Sequence, residues 1–328
     1  MKQMSKNLNL WLHNAYQRFR ERICAPIVFK IMELMNYQRH LPFTHTGEDA
    51  QILIYNKLME DSPCMIGRIG ASEIRNIEGT LHKNGTFFQK LKWLLTLHQI
   101  KVPKSVKKYW QKTVVHNLDD QFFDDYAALT LKDIEQLDIF ASWRWEETEV
   151  IPKPYHFDII SIWDLEPFFC DNPWTKALAG KKVLIIQPFT TAIENQYKKR
   201  DLLFKNKNIL PEFELLTYMP FLAGVRDASP DSSWFDRLNC MKEEISKIDF
   251  DIAIIAAGTY GFSLAAHIKR MNKKALLMGG VLQLLFGIKG ARWDNHPLYS
   301  KLYNEHWIRP GEKYKPKNIT SYDGGCYW

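Results

Sequence analysis

Short apolar runs alternate with helical patterns in the second half of the chain. The runs "VLIIQPF" and "FDIAIIAAGTYG" are apolar over several consecutive positions, which is typical of strands that are buried on both faces. Between them, Leu238, Met241 and Ile245 recur at helical spacing, and Ser232 or Ser233 can cap that helix. Strands that alternate with helices predict right-handed crossovers. We therefore expect an α/β fold with a parallel sheet and helices on both faces.

The first half of the chain has one clear strand among helical patterns. "THTGEDAQILIYNKLM" predicts a helix from about Gly47, and the following "CMIGRIGASEIRNIEG" leaves a short apolar strand through a charged, glycine-containing turn. Residues 80–150 read as mainly helical. "SWRWEETEVIPKPY" interrupts that pattern with two prolines, so we interpret it as a loop over a site.

The N-terminal residues predict a separate amphipathic extension over 1–45, ahead of a catalytic domain over 46–300 and a C-terminal tail over 301–328. One side of the extension is apolar and the rest is basic. The extension either packs on its own domain or rests on anionic lipid, and an amphipathic helix is compatible with both arrangements. The apolar positions are Leu8, Trp11, Leu12, Phe19 and Ile23, and the basic ones are Lys2, Lys6, Arg18, Arg20 and Arg22.

Charge and cysteine usage narrow the function classes. The 328 residues carry a formal charge of +7, which favours phosphates or a membrane surface as partners. Nucleic acid is not expected, because no stripe of basic and aromatic residues is apparent. The five cysteines form no CxxC pair, which indicates reduced thiols and no zinc site. Without a secretory signal or an apolar span, the expected location is the cytoplasm, with peripheral contact at the inner face of the membrane.

Polar and glycine residues follow the predicted strands at the ends where ligands bind in open α/β sheets. The first such end carries Arg68, Gly70 and Glu73. An arginine there can hold a phosphate, and the glutamate can take a proton or bind a metal. Alternatively, Glu73 complements the helix dipole and Arg68 pairs with it. A second strand ends at Gln187.

The third strand end is the turn "AAGTYGFSLA", which includes Gly258, Thr259, Tyr260 and Gly261. Backbone N–H groups of such a turn can face a phosphate, although the glycines can equally serve tight turning alone. The turn lacks the GxGxxG dinucleotide fingerprint, and the chain has no GxxxxGK[ST] motif. An NAD-dependent oxidoreductase and a P-loop ATPase are therefore disfavoured.

The segment "FGIKGARWDNHP" is the last candidate cluster. Lys289 and Arg292 can neutralise a diphosphate, Trp293 can stack on a base or sugar, and Asp294 can accept from hydroxyls. Beyond this segment, the terminal "DGGCYW" either folds over a cleft or only packs against the rest of the protein.

Two of these stretches, "RIGASE" and "DIAIIAAGTYGFSLAAHIKRMNKKALLMGG", resemble the GT-D-type glycosyltransferases. These are bacterial enzymes of glycan and glycoprotein assembly with a Rossmann-like parallel sheet. The resemblance covers about residues 47 to 290. It implies a nucleotide-sugar donor and a divalent cation, Mn²⁺ or Mg²⁺, held in part by an Asp-x-Glu pair.

This sequence departs from the family at that pair. The family motif reads R-[FI]-G-D-G-E, and Ala71 stands at the Asp position while Ser72 stands at the second glycine. Glu73 is therefore the one candidate metal ligand, and phosphates would have to complete the shell of the cation. The matching residues are Arg68, Ile69, Gly70 and Glu73.

The leading hypothesis is a glycosyltransferase of bacterial surface polysaccharide or glycoprotein biosynthesis that moves a sugar, most simply from a UDP-sugar, to a glycan or lipid-linked acceptor. Arg68, Lys289, Arg292 and the glycine turn would stabilise the leaving diphosphate. Glu73 and then Asp294 are the candidates for the general base. The alternative is a non-catalytic nucleotide-binding or membrane-associated partner of a polysaccharide assembly system, which the missing Asp favours.

Overall fold

Seven short strands form one parallel sheet in the part of the chain that the structure, a computed structural model, describes: residues 40–95, 98–113, 118–221, 226, 232–314 and 325–328. Most of the predicted N-terminal extension, residues 1–39, lies outside the described residues. The strand order is β3-β2-β1-β7-β6-β4-β5, and every pair is parallel. The strands are β1 (Cys64–Gly67), β2 (Ile139–Ser142), β3 (Asp158–Ser161), β4 (Lys182–Ile186), β5 (Glu214–Tyr218), β6 (Ile252–Ile255) and β7 (Lys274–Leu277).

Helices cover both faces of the sheet, and the strands therefore bury side chains on both faces. In β1, Met65 joins the hydrophobic core on one face, and Cys64 and Ile66 join the core on the other. The first face packs against α2, α4, α5, α9 and α10, and the second against α1, α7 and α11. The helices are α1 (Glu48–Met59), α2 (Ala71–His82), α3 (Phe87–Leu95), α4 (Lys104–Thr113), α5 (Asp120–Ile134), α6 (Glu147–Val150), α7 (Thr190–Tyr197), α8 (Arg200–Leu203), α9 (Trp234–Ser246), α10 (Gly261–Arg270) and α11 (Leu282–Leu285).

The α/β fold predicted from the alternating pattern is confirmed, and so is the capping of α9. Ser233, rather than Ser232, is the N-cap: its Oγ accepts from the backbone N–H of Asp236, and the Asp236 carboxylate accepts from the backbone N–H of Ser233. These two hydrogen bonds satisfy backbone N–H groups that would otherwise have no partner at the start of the helix.

The prediction of mainly helical structure over 80–150 was wrong at β2. Ile139–Ser142 pairs with β1, with Ile139 opposite Ile66. An apolar run of three residues, Ile139 to Ala141, carries too little periodicity to separate a buried strand from the end of a helix. Pairing with the neighbouring strand decides between them. β3 was also missed, because only two of its four residues are apolar.

The described part of the predicted C-terminal tail packs on the second face. Trp307 and Tyr314 are buried in its core, and Ile308 forms an isolated parallel bridge with Ile288. Among the described helices, none combines the length and the apolar content that crossing a bilayer requires.

Candidate functional site

The strand order opens a cleft at the carboxyl ends of the central strands. β1 and β6 lead into α2 and α10 on the first face, whereas β4 and β7 lead into α7 and α11 on the second. Because adjacent strands send their connections to opposite faces, a crevice opens between the connections. The cleft has a volume of about 470 Å³ and takes lining residues from all four strand ends.

Arg68 follows β1 directly and has a buried hydrogen-bond donor without a partner. Its Nε is buried and has no hydrogen-bond partner. Gly279 holds the guanidinium closely, since a Cβ at this position (φ +76°) would come within 2.1 Å of Nη2. The ring of Trp143 lies 6.0 Å from the guanidinium carbon. A buried N–H without a partner is costly, so this arginine is arranged to receive an acceptor.

Glu73 is the carboxylate of the cleft. It stands in the first turn of α2 and accepts a hydrogen bond from Ser72 Oγ at 2.6 Å. The carboxylate lies over Gly70, where a Cβ would be 2.3 Å from Oε2. Burial raises the pKa of Tyr126 well above its ordinary value, and the charge of Glu73 adds to that shift. Glu73 thus lies at the cleft wall beside a neutral phenol.

The turn between β6 and α10 presents backbone rather than side chains. Gly258 has φ +53° and is exposed. Thr259 Oγ accepts from Trp234 Nε1 at 3.0 Å, and Tyr260 stacks on the same indole with ring centroids 4.9 Å apart. Burial raises the pKa of Tyr260 to about 12. Gly261 begins α10 and packs on Leu277, whose Cδ1 a Cβ would approach to 2.6 Å, so its role is helix–sheet packing.

Gln187 lines the cleft but is already engaged. It is 3% exposed, and its Oε1 accepts from the backbone N–H of Phe189 at 2.6 Å. The backbone N–H of Gln187 donates to the backbone carbonyl of Tyr218 at 3.0 Å. The side chain therefore shapes the turn that leads into α7.

The C-terminal residues form one wall of the cleft together with Arg292. The N–H of Arg292 donates to the carbonyl of Cys326 at 2.9 Å, and the N–H of Ala291 donates to the carbonyl of Trp328 at 3.1 Å. The guanidinium carbon of Arg292 lies 4.7 Å from the centre of the Tyr327 ring. Tyr327 and Trp328 both line the cleft, so the terminal aromatics form part of its wall.

Three predicted binding residues, Lys289, Trp293 and Asp294, lie away from the cleft lining. Asp294 Oδ2 accepts from Arg309 Nη2 at 2.8 Å, and the Lys289 ammonium lies 5.3 Å from the ring centre of Tyr303. Trp293 is 3% exposed and belongs to the core on the second face. Of the candidate residues in this segment, Arg292 lines the cleft and the other three lie outside its lining.

Sequence reasoning missed a network behind the cleft wall. Arg75 and Arg144 both donate to the buried carboxylate of Glu146, Arg75 Nε at 3.2 Å and Arg144 Nε at 2.9 Å. Glu147 is fully buried and accepts from Ser142 Oγ and from the backbone N–H of Trp143. Burial raises the pKa of Glu147 to about 8.

This network holds Trp143 in the cleft wall, where its Nε1 donates to the carbonyl of Ile69 at 2.9 Å. The signal that could have found it is "SWRWEETEV", which was interpreted only as a loop over a site. Charge pairs between Arg75 in α2 and this loop cannot be read from spacing.

The residues of the cleft do not fit a divalent cation held by the protein. Glu73 is the one carboxylate among the described lining residues, and Ala71 replaces the family Asp. In the described part of the chain, no cluster of three His, Cys, Asp or Glu side chains could hold a metal ion. Mg²⁺ prefers several oxygen ligands in octahedral geometry, and one carboxylate supplies too few.

The remaining lining groups favour an anion. Arg68, Arg75 and Arg292 line the cleft, and because Arg75 is paired with the buried Glu146, Arg68 and Arg292 stand against the side-chain carboxylate of Glu73. The chain matches no protein-family model, no curated protein and no solved structure.

Proposed function

We propose that the chain is a glycosyltransferase that moves a sugar from a nucleotide-sugar donor, most simply a UDP-sugar, to a hydroxyl of a glycan or glycoconjugate acceptor in the bacterial cytoplasm. The observation that carries the proposal is Arg68, whose buried Nε lacks a partner in a cleft that also receives Arg292 and the Gly258 turn. Arginine binds phosphate oxygens with two parallel hydrogen bonds.

The reaction needs a site that stabilises negative charge on the departing nucleoside diphosphate. When the bond between the sugar carbon and the phosphate oxygen breaks, its electron pair stays on the diphosphate. Arg68, Arg292 and the Gly258 turn are the groups that would stabilise that charge. Their fixed positions mean that little reorganisation accompanies the step.

Glu73 is the proposed general base. It would accept the proton from the acceptor hydroxyl as the new bond to the sugar forms. Ser72 donates to the same carboxylate and so orients it. Every group in this mechanism belongs to the chain, since the cleft does not supply a metal-binding set.

The walls of the cleft suit a nucleotide. A volume of about 470 Å³ lies within the range of small-molecule sites. Tyr109, Trp143 and Tyr327 line it and offer aromatic faces on which a base or sugar ring can stack.

A binding panel tests the proposal. UDP-, GDP- and CMP-sugars are titrated calorimetrically into the chain, with and without Mn²⁺, and we expect at least one to bind. Arg68→Gln should weaken that binding about tenfold to a hundredfold, the loss expected for a charge-assisted hydrogen bond. Lys289→Gln is the matched control and should change affinity less than twofold, because that ammonium lies over Tyr303. Absence of binding by every donor, even with Mn²⁺, would sink the proposal.

The second candidate is a nucleotide-binding partner of polysaccharide assembly without catalysis. Ala71 at the position of the family Asp favours it. Release of free sugar or transfer to an acceptor separates the two: Glu73→Gln should lower a catalysed rate by about 10²- to 10⁴-fold while nucleotide affinity stays within about twofold. Tight nucleotide binding with no turnover in the unmodified chain would support the second candidate.

A further inference from the structure

Helix α3 turns its apolar side toward solvent. On the opposite side, the ring of Trp93 stacks on His82 with ring centroids 3.6 Å apart. Surface helices normally bury their apolar stripe, so α3 is oriented the other way round. Its exposed large apolar side chains share one side at helical spacing: Phe87 (75%), Phe88 (80%), Leu91 (44%) and Leu94 (53%).

The charged side chains in the stretch of sequence that contains this helix are all basic. Residues 80–118 contain eight lysines and no Asp or Glu, while the whole chain has a net charge of +7. This segment therefore accounts for the entire positive excess. Lys83, Lys92 and Lys107 contact acidic side chains of α5 and α6. Lys101, Lys104 and Lys108 are exposed.

We propose that α3 and the start of α4 form a docking surface for an anionic lipid bilayer. A bilayer interface accepts both features at once: Phe and Leu side chains enter the boundary between headgroups and acyl chains, and lysines reach the anionic headgroups along their apolar stems. Nucleic acid would neutralise the lysines but leave the four apolar side chains in water, so charge and apolarity together favour the membrane.

The α4 part of the docking surface lies next to the cleft. Ser105, Val106 and Tyr109 of α4 line the cleft, whereas Lys104 and Lys108 of the same helix are exposed. A bilayer on this surface would therefore lie beside the cleft. The docking is independent of the reaction proposed above, and it can be tested without any nucleotide sugar.

Sedimentation of the full chain with vesicles tests the apolar part of the surface. Vesicles of equal phosphatidylglycerol and phosphatidylcholine should pellet the chain, and Leu91→Gln/Leu94→Gln should lower the partition coefficient at least about tenfold. The matched control is Leu202→Gln/Leu298→Gln, which changes two leucines that are each 51% exposed elsewhere and should leave sedimentation unchanged. Circular dichroism verifies that all variants fold.

The lysines are tested in the same assay. Lys104→Gln/Lys108→Gln should weaken binding by about fivefold for each lysine removed, and vesicles of phosphatidylcholine alone should bind far less of the chain. Lys198→Gln/Lys205→Gln alters the net charge equally at exposed positions elsewhere and should have a much smaller effect. Added salt should reduce binding of the unmodified chain.

Two outcomes would overturn the proposal. One is a full chain that does not sediment with anionic vesicles. The other is a folded Leu91→Gln/Leu94→Gln variant that sediments like the unmodified chain, which would mean that α3 meets a protein surface or another segment of this chain instead of lipid.

Discussion

At the scale of single residues, the cleft depends on contacts that leave no room for a side chain. The guanidinium of Arg68 passes so close to Gly279 that a Cβ there would lie 2.1 Å from Nη2. Gly279 also has φ +76°, in the region that disfavours other residues. The position of the arginine is thus set by a glycine more than two hundred residues later in the chain.

Gly279→Ala should move Arg68 and weaken ligand binding. Gly180→Ala is the matched control, because Gly180 has a similar φ of +70° with no atom within 4 Å of its ideal Cβ. Both variants should lose about 1 kcal/mol or more of unfolding free energy through backbone strain, measured by urea unfolding. Only Gly279→Ala should also lose nucleotide affinity, by about tenfold or more. Equal affinities in the two variants would contradict this role of the contact.

At the scale of elements, the turn from β2 into α6 is organised by a buried carboxyl group. Glu147 opens α6 and accepts from Ser142 at the end of β2 and from the N–H of Trp143. Burial raises its pKa to about 8. In the folded chain this group therefore stays protonated up to a higher pH than in the unfolded chain, where the pKa of a glutamate is about 4.3.

Stability should consequently fall as the pH rises from about 5 to about 8. In that window the folded chain binds one proton more than the unfolded chain at Glu147, which makes the slope of the unfolding free energy against pH negative, by at most about 1.4 kcal/mol per pH unit. Glu147→Gln should flatten this slope in urea unfolding at several pH values. Glu48→Gln, at an exposed position, is the control and should keep the slope. A Glu147→Gln variant with the slope of the unmodified chain would contradict the prediction.

The element scale also shows where pattern reading fails. The run "VLIIQPF" was correctly predicted as a strand because its length and apolarity are typical of a doubly buried strand. The residues "IF" of β2 were placed in the mainly helical stretch because they extend the pattern of α5 as well as they begin a strand. Long-range pairing with β1 resolves the ambiguity, and this pairing cannot be inferred from local sequence preferences.

At the scale of the whole molecule, the cleft joins parts of the chain from residue 68 to residue 328. The C-terminal wall is tied to the loop at Ala291 and Arg292 by backbone hydrogen bonds, and Trp328 Nε1 donates to the carbonyl of Tyr314 at 2.8 Å. A ligand in this cleft would therefore contact segments that are far apart in the chain.

A nucleotide ligand should therefore stabilise the whole chain. At a hundred times its dissociation constant, a ligand that binds only the folded state raises the unfolding free energy by about 2.7 kcal/mol. Thermal unfolding with UDP-sugar should show this shift, Arg68→Gln should reduce it, and Arg309→Gln, whose partner is Asp294 outside the cleft, should keep it. A shift of equal size in the Arg68 variant would mean that the nucleotide binds elsewhere.

The sequence by itself determined the parallel α/β architecture, the capped start of α9 and the positions of β1, β4 and β6, because burial and helical spacing are local patterns of apolar and polar residues. It also identified Arg68, Glu73 and the Gly258 turn, since charged and glycine residues at strand ends follow from the fold class. Only the tertiary structure decided that Arg292 lines the cleft while Lys289 and Asp294 do not, and that Tyr327 and Trp328 line it as well. Those outcomes depend on strand order and on packing between segments far apart in the chain, which no local pattern encodes.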